Sequence, residues 1–247
     1  SGKFAFNSIK TSCEALKNQE IDVLVTGPIN KSSIQEKIKG FIGHTEFLEG
    51  NFKGDALMIM VSDFMKIAFV TGHIPLSDIK KSLSTNKIID KAKQLNQSLI
   101  VDFRYRKPKI AIIGLNPHAG ENGMLGSEEN EIIIPAINKL KQENIMAFGP
   151  YPADSFFTEK NLTAFDGILS MYHDQGLTPF KTLSFAEGVN YTAGLNIIRT
   201  SPVHGTGYEI AGKNQANPKS FRTSVFLACE IYTKRKEYQR LTKNPLT

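Results

Sequence analysis

The segment PKIAIIGLNPHAG (residues 108–120) shows the pattern from which the fold of this chain follows. A short apolar run, Ile110 to Ile113, ends at a glycine and is followed by polar residues and a histidine. Such a run is typical of a buried strand. Similar runs alternate along the chain with amphipathic stretches rich in Lys and Glu, which is the pattern of helices layered on a largely parallel sheet. The sequence therefore predicts an α/β fold.

The other elements follow from the same alternation. Further strands are predicted at residues 21–28, 55–63, 66–73 and 165–173, the middle two close enough to form a hairpin. Helices are predicted at residues 32–38, 76–83, 86–103, 128–144 and 221–241. In the third helix the apolar residues recur with the 3.6-residue period and share one side: Ile88, Ile89, Ala92 and Leu95. The fourth helix opens with Glu128 and Glu129, which the helix dipole favours at that end.

Composition excludes several classes of protein. The chain has 247 residues, 40% of them hydrophobic, and no apolar stretch of the roughly 20 residues that a membrane helix requires. Its two cysteines have no metal or redox spacing, so a cytoplasmic location is expected. The net charge of +6 sits largely in a predicted terminal helix and in scattered lysines, which favours a solvated basic face over nucleic-acid binding. Without a low-complexity linker, a second domain must form by insertion.

Three of the five histidines follow predicted strands directly: His73, His118 and His173. In α/β sheets, ligands bind beyond the carboxyl ends of the strands, so the three imidazoles are expected at one rim. Converging neutral imidazoles can hold Zn²⁺ or a similar ion and leave coordination positions open for a substrate. The alternative is that each histidine only hydrogen-bonds backbone. We also expect Gly176 to end the polar stretch after His173 and to turn the chain toward Lys181.

Other stretches indicate anion binding. The glycine-rich loop at 116–129 can bring backbone N–H groups to a phosphate or dinucleotide, although it does not match the G-x-G-x-x-G fingerprint. Lys31, after the strand and glycine turn of VTGPINK, is a candidate phosphate contact, and an ordinary βα turn is the alternative. Lys181, Asn190 and Arg199 stand among apolar residues, where Arg199 suits a carboxylate or phosphate. A surface salt bridge is the alternative for Arg199.

Nine motifs stand in the order seen in one enzyme family: VTGPINK, GHTEFL, TGHIPL, GLNPHAGENG with GSEE, GPYPADSFF, MYHDQGL, GVN, GLNIIRTS and HGTGYEIAGK. The chain thereby resembles the 4-hydroxythreonine-4-phosphate dehydrogenases of pyridoxal 5'-phosphate biosynthesis over about residues 1–230. The resemblance implies a three-layer α/β/α fold like that of isocitrate and isopropylmalate dehydrogenases, with two subdomains around a cleft. One subdomain is expected at 1–40 and 200–247, and a second, dimerising one at 41–199. Family members begin with a further segment of several dozen residues, and this chain is expected to start after it.

The resemblance also implies the functional residues and the reaction. Metal-binding histidines fall on His73, His118 and His173; substrate-binding residues on His44, Thr45, Lys181, Asn190 and Arg199; catalytic residues on Lys181 and Asp154; and cofactor-binding residues on Asn116, Gly120, Asp174, Gly194 and Asn196. The implied enzyme is a homodimer with its active site at the interface, across which His173 is expected to be contributed. It would use NAD, or alternatively NADP, and a divalent ion such as Zn²⁺, Mg²⁺, Mn²⁺ or Co²⁺.

The implied reaction is oxidation of 4-phosphohydroxy-L-threonine to 2-amino-3-oxo-4-phosphooxybutanoate, followed by decarboxylation to 3-amino-2-oxopropyl phosphate. Two alternatives stay open. The chain could oxidise another phosphorylated hydroxy acid, such as threonate or erythronate 4-phosphate. It could also be a non-catalytic protein that binds metal and phosphate.

Overall fold

The computed structural model of the protein describes residues 2–184 and 186–244. Its helices are α1 (Gly2–Lys17), α2 (Lys31–Gln35), α3 (His44–Glu49), α4 (Ile79–Ser82), α5 (Thr85–Val101), α6 (Ile134–Gln142), α7 (Ala153–Phe156), α8 (Glu159–Ala164), α9 (His173–Ser184) and α10 (Lys219–Thr242). Its strands are β1 (Leu24–Val25), β2 (Leu57–Val61), β3 (Lys66–Phe69), β4 (Lys109–Ile113), β5 (Met146–Tyr151), β6 (Gly167–Ser170), β7 (Val189–Ala193) and β8 (Arg199–Pro202). These elements confirm the α/β class.

The chain divides into two compact units. Unit 1 comprises residues 1–56 and 185–247, and unit 2 comprises residues 57–184, so unit 2 is inserted into unit 1. Both borders of unit 2 lie inside the range 41–199 that the resemblance assigns to the second subdomain. Its dimerising role stays a prediction.

Unit 2 is built on strands in the order β2-β3-β6-β4-β5. Strands β3, β6, β4 and β5 run parallel, while β2 and β3 form the predicted antiparallel hairpin. The quoted run from Ile110 to Ile113 forms most of β4 and is completely buried. This position, between two parallel neighbours, explains why the run is apolar at every residue and does not alternate.

Helices cover both faces of this sheet. A side chain at Gly167 would meet Leu95 and Leu99 of α5. Ser170, three residues further along β6 and therefore on the other face, lies against Gly176 of α9. Helix α5 begins after Ser84, whose hydroxyl accepts a hydrogen bond from the backbone N–H of Lys87. Its predicted apolar side is buried, as expected. The unit therefore has the expected α/β/α layering.

Unit 1 contains strands in the order β1-β8-β7, with β1 parallel and β7 antiparallel to β8. Helix α10 lies against one face, where the Thr200 hydroxyl donates to the Ser224 carbonyl. Apolar residues of α1, α2 and α3 pack with Leu195 and Ile197 in one buried cluster.

Several features differ from the sequence-based expectation. The chain continues as helix from His173 to Ser184, so Gly176 does not turn it. Gly176 is buried, and a Cβ there would lie 2.6 Å from both Ile67 Cδ1 and Ser170 Oγ, so the glycine permits close packing of α9 on the sheet. Helices α1, α3, α7 and α8 and strands β5, β7 and β8 were also not predicted from the sequence. Helices α3, α7 and α8 have six residues or fewer, which is too short to show a helical period. None of the described helices is long and apolar enough to cross a membrane.

Candidate functional site

The three candidate metal ligands follow adjacent parallel strands. His73, His173 and His118 come after β3, β6 and β4, which are neighbours in the sheet of unit 2. The rings of His73 and His173 lie with their centroids 5.0 Å apart at 44°. The Gln175 amide donates to the Gly114 carbonyl at 2.6 Å and accepts from the Met171 N–H at 2.8 Å. These bonds tie the start of α9, and with it His173, to the ends of two strands.

The His73 and His173 pair suits a divalent ion. Two imidazoles on one tetrahedral ion, with metal–nitrogen distances of about 2.0–2.1 Å, have centroids roughly 5 Å apart, which matches the observed separation. Nδ1 of His173 lies 2.6 Å from Oδ1 of Asp174. Because a carboxylate only accepts hydrogen bonds, this contact favours the tautomer with the proton on Nδ1, in which the lone pair of Nε2 is available to a ligand. Asp174, a predicted cofactor-binding residue, therefore orients His173.

His118 does not complete this pair within one chain. Across residues 2–184 and 186–244, no group of three His, Cys, Asp or Glu side chains could hold a metal ion. His118 is exposed and lies in a loop with unusual backbone geometry: residues 118–122 all have φ between +41° and +79°. Only Gly120 of these lacks a Cβ, and left-handed conformation costs about 1–2 kcal/mol for each other residue. Such a turn requires strong support from its surroundings.

Two buried carboxylates supply this support. Glu129 Oε1 accepts from the backbone N–H groups of Leu115 and Asn116, both at 2.7 Å. The Asn116 amide donates to Glu129 and to Glu128 at 2.8 Å. The hydrogen bond from Lys80, and then that from Asn116, lowers the pKa of Glu128 to about 2. Both acidic residues are thus buried supports of the loop. They stand at the start of a π-helical turn, Glu129–Ile133, that leads into α6, so the predicted helix begins with this turn.

We expect Glu129→Gln to lower the free energy of unfolding by about 1–3 kcal/mol, because the new NH₂ group would face donors that now bind a carboxylate. Hydrogen exchange at residues 115–123 should accelerate, and urea unfolding should report the stability. Glu131→Gln, an exposed change nearby, is the matched control. Unchanged exchange in the loop of the Glu129 variant would refute the role of this carboxylate.

Two cavities adjoin the histidine pair. One, of about 480 Å³, is lined by His73, His173 and Tyr172 among others. The other, of about 600 Å³, has Asp154 and Asp174 in its wall. The predicted catalytic Asp154 and cofactor-binding Asp174 therefore share one cavity. Lys181 is half-buried on α9, eight residues after His173, which corresponds to about 12 Å along a helix.

Unit 1 places four polar side chains on one face of its strands. Arg199 pairs with Leu24 on one side and with Thr192 on the other. Because side chains alternate along a strand, Thr26, Asn190 and Thr192 point to the same face as Arg199. Thr200 faces the opposite way, toward α10. We call Thr26, Lys31, His44, Asn190, Thr192 and Arg199 the Arg199 cluster.

Arg199 is the centre of this cluster. It is only 4% exposed, and its guanidinium donates to hydroxyl groups: Nε and Nη2 to Thr26 Oγ1 at 2.9 and 2.6 Å, and Nη1 to Thr192 Oγ1 at 3.3 Å. Burial lowers the pKa of Arg199 to about 10, and the charge of Glu46 opposes this shift. The group stays charged at neutral pH, so Arg199 is a buried cation and not a surface salt-bridge residue.

His44 and Asn190 complete the polar surface. Burial, and then the charges of Arg199 and Lys31, lower the pKa of His44 to about 3, so its imidazole is neutral at pH 7. Thr45 follows it in α3 and is half-buried. Oδ1 of Asn190 is buried without a partner among the described residues, which leaves an unused acceptor on the face of β7 that Arg199 shares. The two cations, Arg199 and Lys31, suit an anionic group of a ligand, and the unused acceptor of Asn190 suits a hydroxyl or ammonium group of the same ligand.

The His44 shift predicts a pH dependence of stability. The folded pKa of about 3 lies below the ordinary histidine value of 6.5, so the unfolded state binds a proton first as pH falls. This contribution to stability is complete above pH 6.5 and is lost toward pH 3, by at most about 1.4 kcal/mol per pH unit. Urea unfolding at pH 7 and pH 4.5 should show a smaller decrease for His44→Gln than for the wild type. Equal decreases would contradict the shift.

The predicted cofactor residues lie in both units. Asn116 and Gly120 belong to the loop of unit 2, where their contacts are with Glu128 and Glu129. In unit 1, the Asn196 side chain accepts from the Lys53 N–H at 3.0 Å. Gly194 approaches Gly54 so closely that a Cβ on Gly54 would lie 2.1 Å from the Gly194 carbonyl oxygen. Within the described residues these groups therefore support loops, and NAD binding by them stays a prediction.

Sequence reasoning missed Thr26 and Thr192. Both are threonines in or next to strands, where the residue type is common and carries no functional signal by itself. Only the positions of the two threonines in the sequence could have indicated a functional role. Thr26 stands immediately before a glycine turn in VTGP, and Thr192 stands two residues after Asn190, on the same face of the strand.

Comparison with known proteins gives consistent matches. The profile of the family "Pyridoxal phosphate biosynthetic protein PdxA" matches residues 1–228. A 4-hydroxythreonine-4-phosphate dehydrogenase of Bacteroides thetaiotaomicron is 45% identical over 99% of this chain and 68% of that protein. One of Sulfurihydrogenibium sp. is 41% identical over 95% of this chain and 73% of that protein. The crystal structure of the Klebsiella pneumoniae enzyme of that name superposes with a TM-score of 0.83 and 35% identity, covering 94% of this chain and 70% of that one.

Proposed function

The chain belongs to the PdxA family of pyridoxal phosphate biosynthetic proteins, and from this premise we propose that it oxidises 4-phosphohydroxy-L-threonine. Its fold is the isocitrate and isopropylmalate dehydrogenase-like α/β fold of that family. The product would be 2-amino-3-oxo-4-phosphooxybutanoate, which would lose CO₂ to give 3-amino-2-oxopropyl phosphate. Relatives that match over most of the chain carry the name of this dehydrogenase.

The observation that carries the proposal is the Arg199 cluster. The substrate has a phosphate and a carboxylate, each of which suits the two-pronged donor surface of a guanidinium. His44 would face it as a neutral imidazole, able to donate from one ring nitrogen and accept at the other. Thr45, Asn190 and Lys181 are the further substrate-binding residues of the proposal.

The histidines are proposed to hold the divalent ion. His73 and His173, whose rings lie 5.0 Å apart in one chain, would supply two imidazoles. In place of the expected His173, His118 of the partner subunit would supply the third in a homodimer. Imidazole donors suit Zn²⁺ and Co²⁺ better than the hard Mg²⁺ and Mn²⁺. Leu76 and Met124 of unit 2 are 75% and 81% exposed, and such apolar surface favours burial against a second copy.

Residues of the chain would transfer the proton during the reaction and bind the anionic groups of the substrate. Oxidation removes a proton from the hydroxyl oxygen and a hydride from the carbon that carries this hydroxyl, which leaves a ketone. Lys181, with Asp154, is the proposed acid/base pair for that proton and for protonation of the product after CO₂ leaves. A bound divalent ion would make the hydroxyl more acidic. NAD, or alternatively NADP, would accept the hydride, with Asn116, Gly120, Asp174, Gly194 and Asn196 as proposed contacts.

The test is reduction of NAD with 4-phosphohydroxy-L-threonine, with and without a chelator. We expect metal-dependent reduction. Faster reduction with threonate or erythronate 4-phosphate would reassign the substrate. Binding of metal and phosphate without reduction of NAD by any of these substrates would identify a non-catalytic protein.

A further inference from the structure

We propose that Thr26 is a positioning residue: its hydroxyl holds the Arg199 guanidinium in the orientation that receives the anion, and Thr192 assists it. The identification of that anion as the substrate's phosphate or carboxylate rests on the proposed function. The positioning itself rests on the geometry of unit 1.

The hydrogen bonds of Arg199 leave a defined set of donors. A guanidinium has five N–H groups, of which Nε carries one and each terminal nitrogen carries two. Thr26 Oγ1 accepts from Nε and from Nη2, and Thr192 Oγ1 accepts from Nη1. One N–H therefore remains on each terminal nitrogen. Two N–H groups on neighbouring nitrogens are what an Arg fork offers to two oxygens of a phosphate or carboxylate.

A hydroxyl orients the guanidinium without neutralising it. No carboxylate of the described residues lies within 4.0 Å of Arg199, and Glu46 acts only through its charge at longer range. An Asp or Glu at position 26 would bind the same two nitrogens but would cancel the positive charge. Threonine keeps the charge available to a ligand, and the low accessibility of Arg199 strengthens its attraction for an anion.

The Thr26 hydroxyl is itself held in place. The residue is 7% exposed, and its backbone N–H donates to the Thr200 carbonyl at 3.0 Å, which extends the pairing of β1 with β8. A β-branched side chain on an ordered strand has few rotamers, so the position of Oγ1 is defined by the backbone. The guanidinium is consequently oriented by the sheet, and not by the ligand after it binds.

The experiment compares Thr26→Val, which keeps the shape and removes the hydroxyl, with Thr26→Ser, which keeps the hydroxyl. Calorimetric titration with inorganic phosphate and steady-state KM are measured for each. We expect Thr26→Val to weaken phosphate binding and to raise KM about 10-fold or more, and Thr26→Ser to stay within about threefold of the wild type. The value of kcat should change less than KM.

Thr200→Val is the matched control, because it removes a buried threonine hydroxyl on the opposite face of the same strands. It should lower stability and leave phosphate binding unchanged. If Thr26→Val does not fold, Thr192→Val takes its place, with a smaller loss expected from its longer 3.3 Å bond.

The outcomes separate this inference from the proposed reaction. Phosphate affinity in Thr26→Val within about twofold of the wild type, or no rescue by serine, would overturn the positioning role even if NAD is reduced. For Thr192→Val as the replacement, unchanged phosphate affinity would overturn it. Phosphate binding that depends on Thr26 in a chain that never reduces NAD would support the positioning role and reject the reaction.

Discussion

Arg199→Lys is expected to lower kcat/KM for 4-phosphohydroxy-L-threonine about 100-fold or more, although the positive charge is kept. Lysine cannot bind Thr26 and Thr192 through a planar fork and at the same time offer two parallel N–H groups to an oxyanion. Steady-state kinetics of NAD reduction measures the effect. Phosphate binding by calorimetry should weaken in parallel, because the same donors are lost.

Arg235→Lys is the matched control for this change. Arg235 is a second arginine of unit 1, which is partly buried, and it donates to the Leu195 and Ile197 carbonyls and to the Tyr191 hydroxyl. Its replacement should reduce stability and leave KM near the wild-type value. Wild-type kcat/KM in Arg199→Lys would exclude the Arg199 cluster as the anion site.

His173→Ala is expected to weaken Zn²⁺ binding at least about 100-fold, since the ion loses one of its nitrogen ligands. Thermal unfolding without metal should change little, because the ring is partly exposed at the surface of unit 2. Equilibrium dialysis with Zn²⁺ measures the stoichiometry. His204→Ala, which changes an exposed histidine of unit 1, should bind as the wild type does. Full Zn²⁺ stoichiometry in His173→Ala would contradict the site.

A mixing experiment tests whether the site is shared between two chains. Neither His118→Ala nor His173→Ala should bind Zn²⁺ alone. Equal amounts, refolded together, should recover about a quarter of the sites, because half of the random dimers are mixed and each mixed dimer has one intact site. Recovery close to zero would place His118 and His173 of each site in the same chain and contradict the proposal.

The local pattern of apolar residues was sufficient to predict most of the helices and strands. The run at Ile110–Ile113, the hairpin of β2 and β3, and the buried side of α5 follow from the period of apolar residues, which is a local property. The same pattern indicated that His73, His118 and His173 follow strand ends. The pattern did not predict helix α9, because a glycine often ends a helix. Gly176 lies within α9 instead, where it permits close packing against Ile67 and Ser170.

The resemblance identified Arg199 as a substrate-binding candidate. The contacts of this residue depend on the pairing of strands that are far apart in sequence. Thr26 is 173 positions from Arg199 in sequence, and it reaches the guanidinium only because β1 and β8 pair in parallel. Likewise, residue type alone does not indicate that Glu129 is buried under a left-handed turn.

The order of residues along the chain therefore defined the α/β class, the family and the residue types of the candidate sites. Folding defined which of them meet: His73 with His173, Glu129 with the His118 loop, and two threonines with Arg199. The physical reason is that periodicity depends on neighbours a few residues apart. The charge of Arg199, the pKa of His44 and the direction of the free N–H groups depend instead on burial and register, which arise only when distant segments pack together.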